Sequence, residues 1–211
     1  MQENQMDGIM GQIFWGSSME EFSSSYMEEV SFKSEDYTKK SFANYSFTNC
    51  TFANCNFTES IFWNAKFQSC TFTSCNLSLV KMEGCRFEEI HFVDCKITGG
   101  EFFKCEKTFF SIRFTRSVLF CCNFSDLILK GISFLGSKLK ECYFTNSCLV
   151  ESNFSDVDLS GTIFQNADLS KADFSKAFNY EIDPRFNKIK KAKFSLPEAA
   201  GLLRGFDIKL V

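Results

Sequence analysis

The sequence predicts an all-β protein, a coil of very short extended pieces, each followed by a bend, wound around a continuous apolar axis. Three observations predict it. Large apolar residues recur every five positions through most of the chain, a small or apolar residue stands two positions before most of them, and the remaining positions are mostly Ser, Thr, Asn, Asp, Glu and Lys. A period of five is neither the helical 3.6 nor the strand 2, so each unit must combine an extended piece with a turn. Residues two apart in extended backbone point to the same side, which places the large and the small residue inward together. The polar positions turn the chain and face water. Stacked coils then pair through backbone hydrogen bonds about 4.8 Å apart.

Taken in chain order, residues 1–21 are a lead-in with neither the basic start nor the apolar run of a signal peptide. No stretch of eighteen apolar residues occurs anywhere, so no membrane contact and a cytoplasmic location are expected. The five-residue register begins weakly at Phe22, Met27, Phe32 and Tyr37. It then runs without omission through Phe42, Phe47, Phe52, Phe57, Phe62, Phe67, Phe72, Leu77, Met82, Phe87, Phe92, Ile97 and Phe102. A second run, shifted by two residues, reads Phe109, Phe114, Leu119, Phe124, Leu129, Phe134, Leu139, Phe144, Leu149, Phe154, Leu159, Phe164, Leu169 and Phe174. The coil is thus expected over residues 22–176, with a break in register at 103–113. The two extra residues fall within Cys105–Ser111 and must bulge outward. Glu106, Lys107, Thr108, Phe110 and Ser111 are then candidates for a partner-binding loop, because irregular segments on rigid scaffolds carry function. A bulge without a role is the alternative.

After Lys176 the spacing is lost, and residues 177–211 are expected to close the coil. Asp183-Pro184 reads as a turn, and Lys188 to Phe194 can add one irregular turn of coil. Ser195-Leu-Pro-Glu198 has the form of a capping box, which predicts a helix from Leu196 to Arg204 ending at Gly205. This segment is too short for a core of its own, yet Leu196, Leu202, Leu203, Phe206, Ile208 and Leu210 are apolar. They must cover the open end of the coil, and a second copy would use them more fully.

Little points to catalysis. Eight of the eleven cysteines (Cys50, Cys55, Cys70, Cys75, Cys85, Cys95, Cys122 and Cys142) take the small inward position, where a thiol behaves as a buried hydrophobe. Cys121 and Cys148 fall on outward positions. The single histidine, His91, precedes inward Phe92 and points outward, and Asp158, Asp168 and Asp173 occupy turn-supporting outward positions. No nucleotide-binding or zinc-protease motif occurs, so no enzyme, metal or cofactor is expected. Formal charge is −3 in all, with −5 in residues 1–40, −2 in 41–175 and +4 in 176–211. No basic stripe for direct nucleic-acid binding appears. Several outward positions are apolar: Ile61, Trp63, Val118, Ile128, Tyr143 and Ile163, of which Tyr143 and Ile163 are twenty residues apart.

Units such as Ala167-Asp168-Leu169-Ser170-Lys171 and Ala172-Asp173-Phe174-Ser175-Lys176 resemble the pentapeptide-repeat family. The resemblance implies a right-handed parallel β-helix of square cross-section with four units per coil, hence about eight coils and a rod of about 38 Å at strand spacing. The tail resembles the ending of bacterial members of the Qnr quinolone-resistance and microcin-immunity group. That implies a homodimer joined end to end and a DNA-mimic-like protein that binds DNA gyrase or topoisomerase IV and protects it from quinolones or a peptide toxin. A passive interaction scaffold for an unrelated partner is the other reading. The repeat body is nearly neutral, and only one small bulge stands where Qnr-type proteins often carry two projecting loops.

Overall fold

The computed structural model describes residues 13–14, 25–206 and 208. Strands of two to four residues stack in parallel, each paired with the strand one coil on. In the first half the step is twenty residues, as in Ser46↔Lys66↔Arg86 and Phe32↔Phe52↔Phe72↔Phe92. Four five-residue units therefore make one coil with four faces, and the whole is a parallel β-solenoid of about eight turns. Face 1 carries the longest sheet, six strands ending with Ile90–Val93 and Ile112–Thr115. Face 2 carries Lys96–Thr98, Val118–Phe120 and Lys138–Lys140, and face 3 carries Tyr143–Thr145 and Ile163–Gln165. Face 4 carries Tyr26–Glu28, Ser46–Thr48, Lys66–Gln68 and Arg86–Glu88.

The corners explain the polar positions. Two residues after most large inward residues the chain adopts left-handed backbone, as at Asn44, Asn49, Asn54 and Asn64 (φ 66, 54, 56 and 53°), whereas after Phe102 it makes a 3₁₀ turn. Asn tolerates that region better than most side chains, and glycine takes it at Gly84, where Asn64 Oδ1 occupies the space a Cβ would need.

All the inward Phe and Leu residues of the two runs from Phe42 to Phe174, apart from Phe109, are buried. Face 1 holds an unbroken column of nine rings, Phe32, Phe52, Phe72, Phe92, Phe114, Phe134, Phe154, Phe174 and Phe194, with centroids 4.6–5.2 Å apart. Each such pair adds about 0.5–1.5 kcal/mol beyond area burial. With four faces per coil, strict Phe/Leu alternation after Phe114 puts Phe on faces 1 and 3 and Leu on faces 2 and 4.

The small inward residues do more than fill space. Cys70 Sγ donates to the carbonyls of Phe47 and Gln68 at 3.4 and 3.3 Å, and Cys75 and Cys95 repeat the pattern. Ser117 Oγ and Thr162 Oγ1 play the same part, donating to Phe92 O and Leu139 O, and each also accepts a backbone N–H from the preceding coil. All eight cysteines assigned inward are buried, and Cys105 joins them. Burial pushes the Cys85 and Cys105 thiols well above their ordinary range. Cys121 is exposed and Cys148 half-buried.

The coil outlasts the regular spacing. Phe178, Glu181 and Lys188 bridge Asp158, Ile163 and Asp168, and Lys193–Phe194 pairs with Asp173–Phe174. Buried Asn187 holds this last turn: its Oδ1 accepts the Ala167 N–H, and its Nδ2 donates to Phe164 O and Asp183 O.

Two expectations need correction. Phe109 does not open the second run, since it is 66% exposed. The helix starts at Glu198 rather than Leu196, is a 3₁₀ helix, and runs through Gly205 to Phe206. Ser195 does not cap it by its side chain, because its Oγ accepts the Lys176 N–H of the preceding coil at 3.0 Å. Phe22, Leu210 and Val211 lie outside the described residues.

Candidate partner-binding surfaces

The bulge sits on face 4, where the four-stranded sheet of that face stops at Arg86–Glu88. Cys105 still faces inward, and the inward pattern resumes only at Ile112. Between them Phe110 turns in and packs on the core, its ring 6.5 Å from Phe87. It takes the place that Lys107 would fill if the spacing had held. Phe109 meanwhile adopts left-handed backbone (φ 61°) and projects outward, with the Arg86 guanidinium 5.8 Å from its ring. The two extra residues thus displace one Phe to the surface while its neighbour keeps the core closed.

The loop is tied down rather than loose. Glu106 Oε1 accepts both the N–H and the hydroxyl of Thr108, at 3.0 and 2.9 Å, and those bonds hold its carboxyl below the usual range. Lys107 Nζ donates to Asp126 O at 3.2 Å, and Ser111 N–H donates to Phe87 O at 2.9 Å. Of the five residues expected to form the loop surface, Glu106, Lys107, Thr108 and Ser111 are exposed and Phe110 is half-buried. Phe109 was missed because its apolar character matched the inward register. On the same face, one coil further on, Ile128 is 78% exposed and bridges Cys148.

Beside the bulge, at the corner of faces 4 and 1, lies a groove of about 630 Å³ bordered by Ser69, His91, Ser111, Arg113 and Ser133. His91 points outward as expected but is half-buried there, with Nε2 3.0 Å from Thr115 Oγ1. Burial, aided by Arg113 and Arg116, lowers its pKa. Tyr143 and Ile163 are direct register partners on face 3, an exposed apolar pair.

About half of the charged side chains among the described residues form ion pairs, most of them between neighbouring coils. Arg116 forms a two-pronged pair with Asp94 at 2.8 Å, Lys171 meets Glu151 at 2.7 Å, and Lys193 meets Asp173 at 3.2 Å. Asp158, Asp168 and Asp173 each accept the N–H of the serine two residues on, the turn-supporting role read from sequence. Among the described residues no group of three or more His, Cys, Asp or Glu could hold a metal ion, and no helix is long and apolar enough to cross a membrane.

At the far end, Phe186, Leu196, Leu203, Phe206 and Ile208 are exposed, while Leu202 packs against the protein's own core. Arg185 stacks near both Phe186 and Phe206, at 5.6 and 5.7 Å.

No curated protein matches this chain by sequence. Among solved structures it is similar to two trypsin-treated variants of QnrB1, a plasmid-mediated fluoroquinolone resistance protein. One match has a TM-score of 0.55 at 17% identity and covers 96% of this chain and 98% of the other. The second has a TM-score of 0.54 at 19% identity and covers 88% and 90%. Family models for a pentapeptide repeat region and for pentapeptide repeats match residues 45–119 and 137–176, together more than half of the sequence. With the twenty-residue coil step and the filled axis, these matches show that the chain belongs to the pentapeptide-repeat family.

Proposed function

We propose that this protein is a non-enzymatic binding protein that docks as a rigid rod on a type II DNA topoisomerase, gyrase or topoisomerase IV, and protects it from a quinolone or a peptide toxin. The observation that carries the reading is the tied-down interruption of the solenoid between Cys105 and Ile112, which presents Phe109 and, one coil on, Ile128 on the same face. The likeness to a fluoroquinolone resistance protein over nearly the whole of both chains supports the choice of target. The paired surface charge argues for recognition through shape and apolar contact, because DNA-like mimicry would need a dense row of uncompensated carboxylates. The exposed apolar end supports a homodimer joined through residues 196–211.

A passive scaffold for an unrelated partner is the second reading, favoured by that same neutral surface. A gyrase supercoiling assay with and without quinolone separates the two. The first reading expects restored supercoiling in the presence of drug, and expects a variant lacking Lys107 and Thr108, which regains the five-residue spacing, to fold but no longer protect. No effect of the parent protein on gyrase or topoisomerase IV would leave the scaffold reading.

A further inference from the structure

Face 2, opposite the bulge, changes character along the rod. Towards the N-terminal end it is a polar ladder that satisfies itself. Asn56 Nδ2 donates to Thr38 Oγ1 at 2.8 Å, Asn76 Nδ2 donates to Thr58 Oγ1 at 2.9 Å, and the Oδ1 of each Asn accepts the hydroxyl two residues on. The same closure returns at Asp158, whose carboxylate accepts from Ser160 and Asn179. Between these two ends the ladder gives way to the registers Lys96↔Val118↔Lys138 and Thr98↔Phe120↔Lys140. Val118 and Phe120 are 41% and 39% exposed. Leu79, also exposed, leans over Gly99 at the adjoining corner and widens the apolar surface.

The carboxylates around this strip are engaged: Asp94 is held by Arg116, Asp158 lies 3.9 Å from Lys140, and Glu141 accepts from the Cys121 thiol at 3.6 Å. Lys96 and Lys138 have no ion pair among the described residues. An apolar strip with a free ammonium on either side calls for a partner that sets apolar side chains between two carboxylates. Spacing selects its form. Lys96 and Lys138 stand two coils apart, about 9.6 Å at strand spacing, with Val118 midway. An α-helix laid along the rod puts residues i and i+7 about 10.5 Å apart on one face, with i+3 and i+4 between them. One helical turn thus nearly matches one coil, whereas same-side residues of an extended chain, about 6.8 Å apart, do not. Two free cations are too few to hold a lipid surface or a nucleic acid. We infer that this strip docks an acidic amphipathic helix of another protein, with carboxylates at i and i+7 facing Lys96 and Lys138 and apolar residues at i+3 and i+4 on Val118 and Phe120. The site is separate from the bulge and does not depend on the function proposed above.

The test uses the full chain and a synthetic helical peptide with Glu at i and i+7 and Leu at i+3 and i+4, its binding read by fluorescence anisotropy. Val118→Ser and Lys138→Glu change outward side chains, so each should move the melting temperature little and weaken binding about tenfold. A peptide with Lys in place of its glutamates should not bind the parent, but should bind a variant carrying both Lys96→Glu and Lys138→Glu. No binding of the acidic peptide, binding that ignores these substitutions, or capture of the parent by phosphatidylglycerol vesicles in place of the peptide would overturn the inference, whatever the protein does to gyrase.

Discussion

Phe134 shows what one inward residue does. Its ring is fully buried, stacks on Phe114 at 5.2 Å and Phe154 at 5.1 Å, and meets Phe124 and Phe144 edge-on. Phe134→Ala should cost about 3–5 kcal/mol, since the coil cannot collapse around the void, while Lys138→Ala on the outer surface should cost less than about 0.5 kcal/mol. Paired melting curves check this, and equal shifts would contradict the inward assignment. The inward positions were legible in sequence because five-residue spacing leaves few other structures. The thiol and hydroxyl bonds to backbone carbonyls were not, because composition alone cannot tell a buried Cys that fills space from one that donates. Phe109 was misread for a related reason: apolar character and spacing agreed, and only the neighbouring Phe110 reveals which ring the core takes.

At the scale of elements, the strands are too short to stand alone and are held by the coils on either side, so the ends need their own solutions. Asn187 is one. It meets the Ala167 N–H and two carbonyls from a buried position, and no apolar residue can do so. Asn187→Ala should cost about 2–3 kcal/mol, measurable by urea unfolding, because buried backbone groups lose their partners. A change below about 0.5 kcal/mol would mean that the last turn adds little. Sequence reading foresaw an irregular turn from Lys188 to Phe194 but gave Ser195 to the helix. Local motif and tertiary demand competed there, and the Lys176 N–H took the hydroxyl.

Over the whole molecule, acid should destabilise the rod in two stages. Burial, with Arg113 and Arg116, holds the His91 pKa below its ordinary 6.5. The unfolded chain therefore takes up that proton first, and a small part of the stability is lost as pH falls below 6.5. Hydrogen bonds from Ser170 and Ser175, with Lys188 and Lys193 nearby, hold Asp168 and Asp173 below 3.8, so their contribution is complete above 3.8 and is lost as pH falls through their depressed folded values. Melting temperature against pH should show a shallow fall and then a steep one, and His91→Gln should remove only the shallow one. A flat profile down to pH 3 would contradict this. Assembly is the second property at this scale. Leu203→Glu and Phe206→Glu together should leave a folded monomer by light scattering, because unpaired charge in an apolar junction is costly. A double variant that stays fully dimeric would move the interface elsewhere.

The central claim is that the rod recognises a topoisomerase through the apolar projection of its bulge rather than through DNA-like charge. The most direct measurement is the affinity of the full chain for purified gyrase at low and moderate salt, beside Phe109→Ala and Ile128→Ser variants. The account predicts binding that changes little with salt and is weakened at least tenfold by either substitution. Absence of binding, or binding that falls steeply with salt and ignores both substitutions, would contradict it.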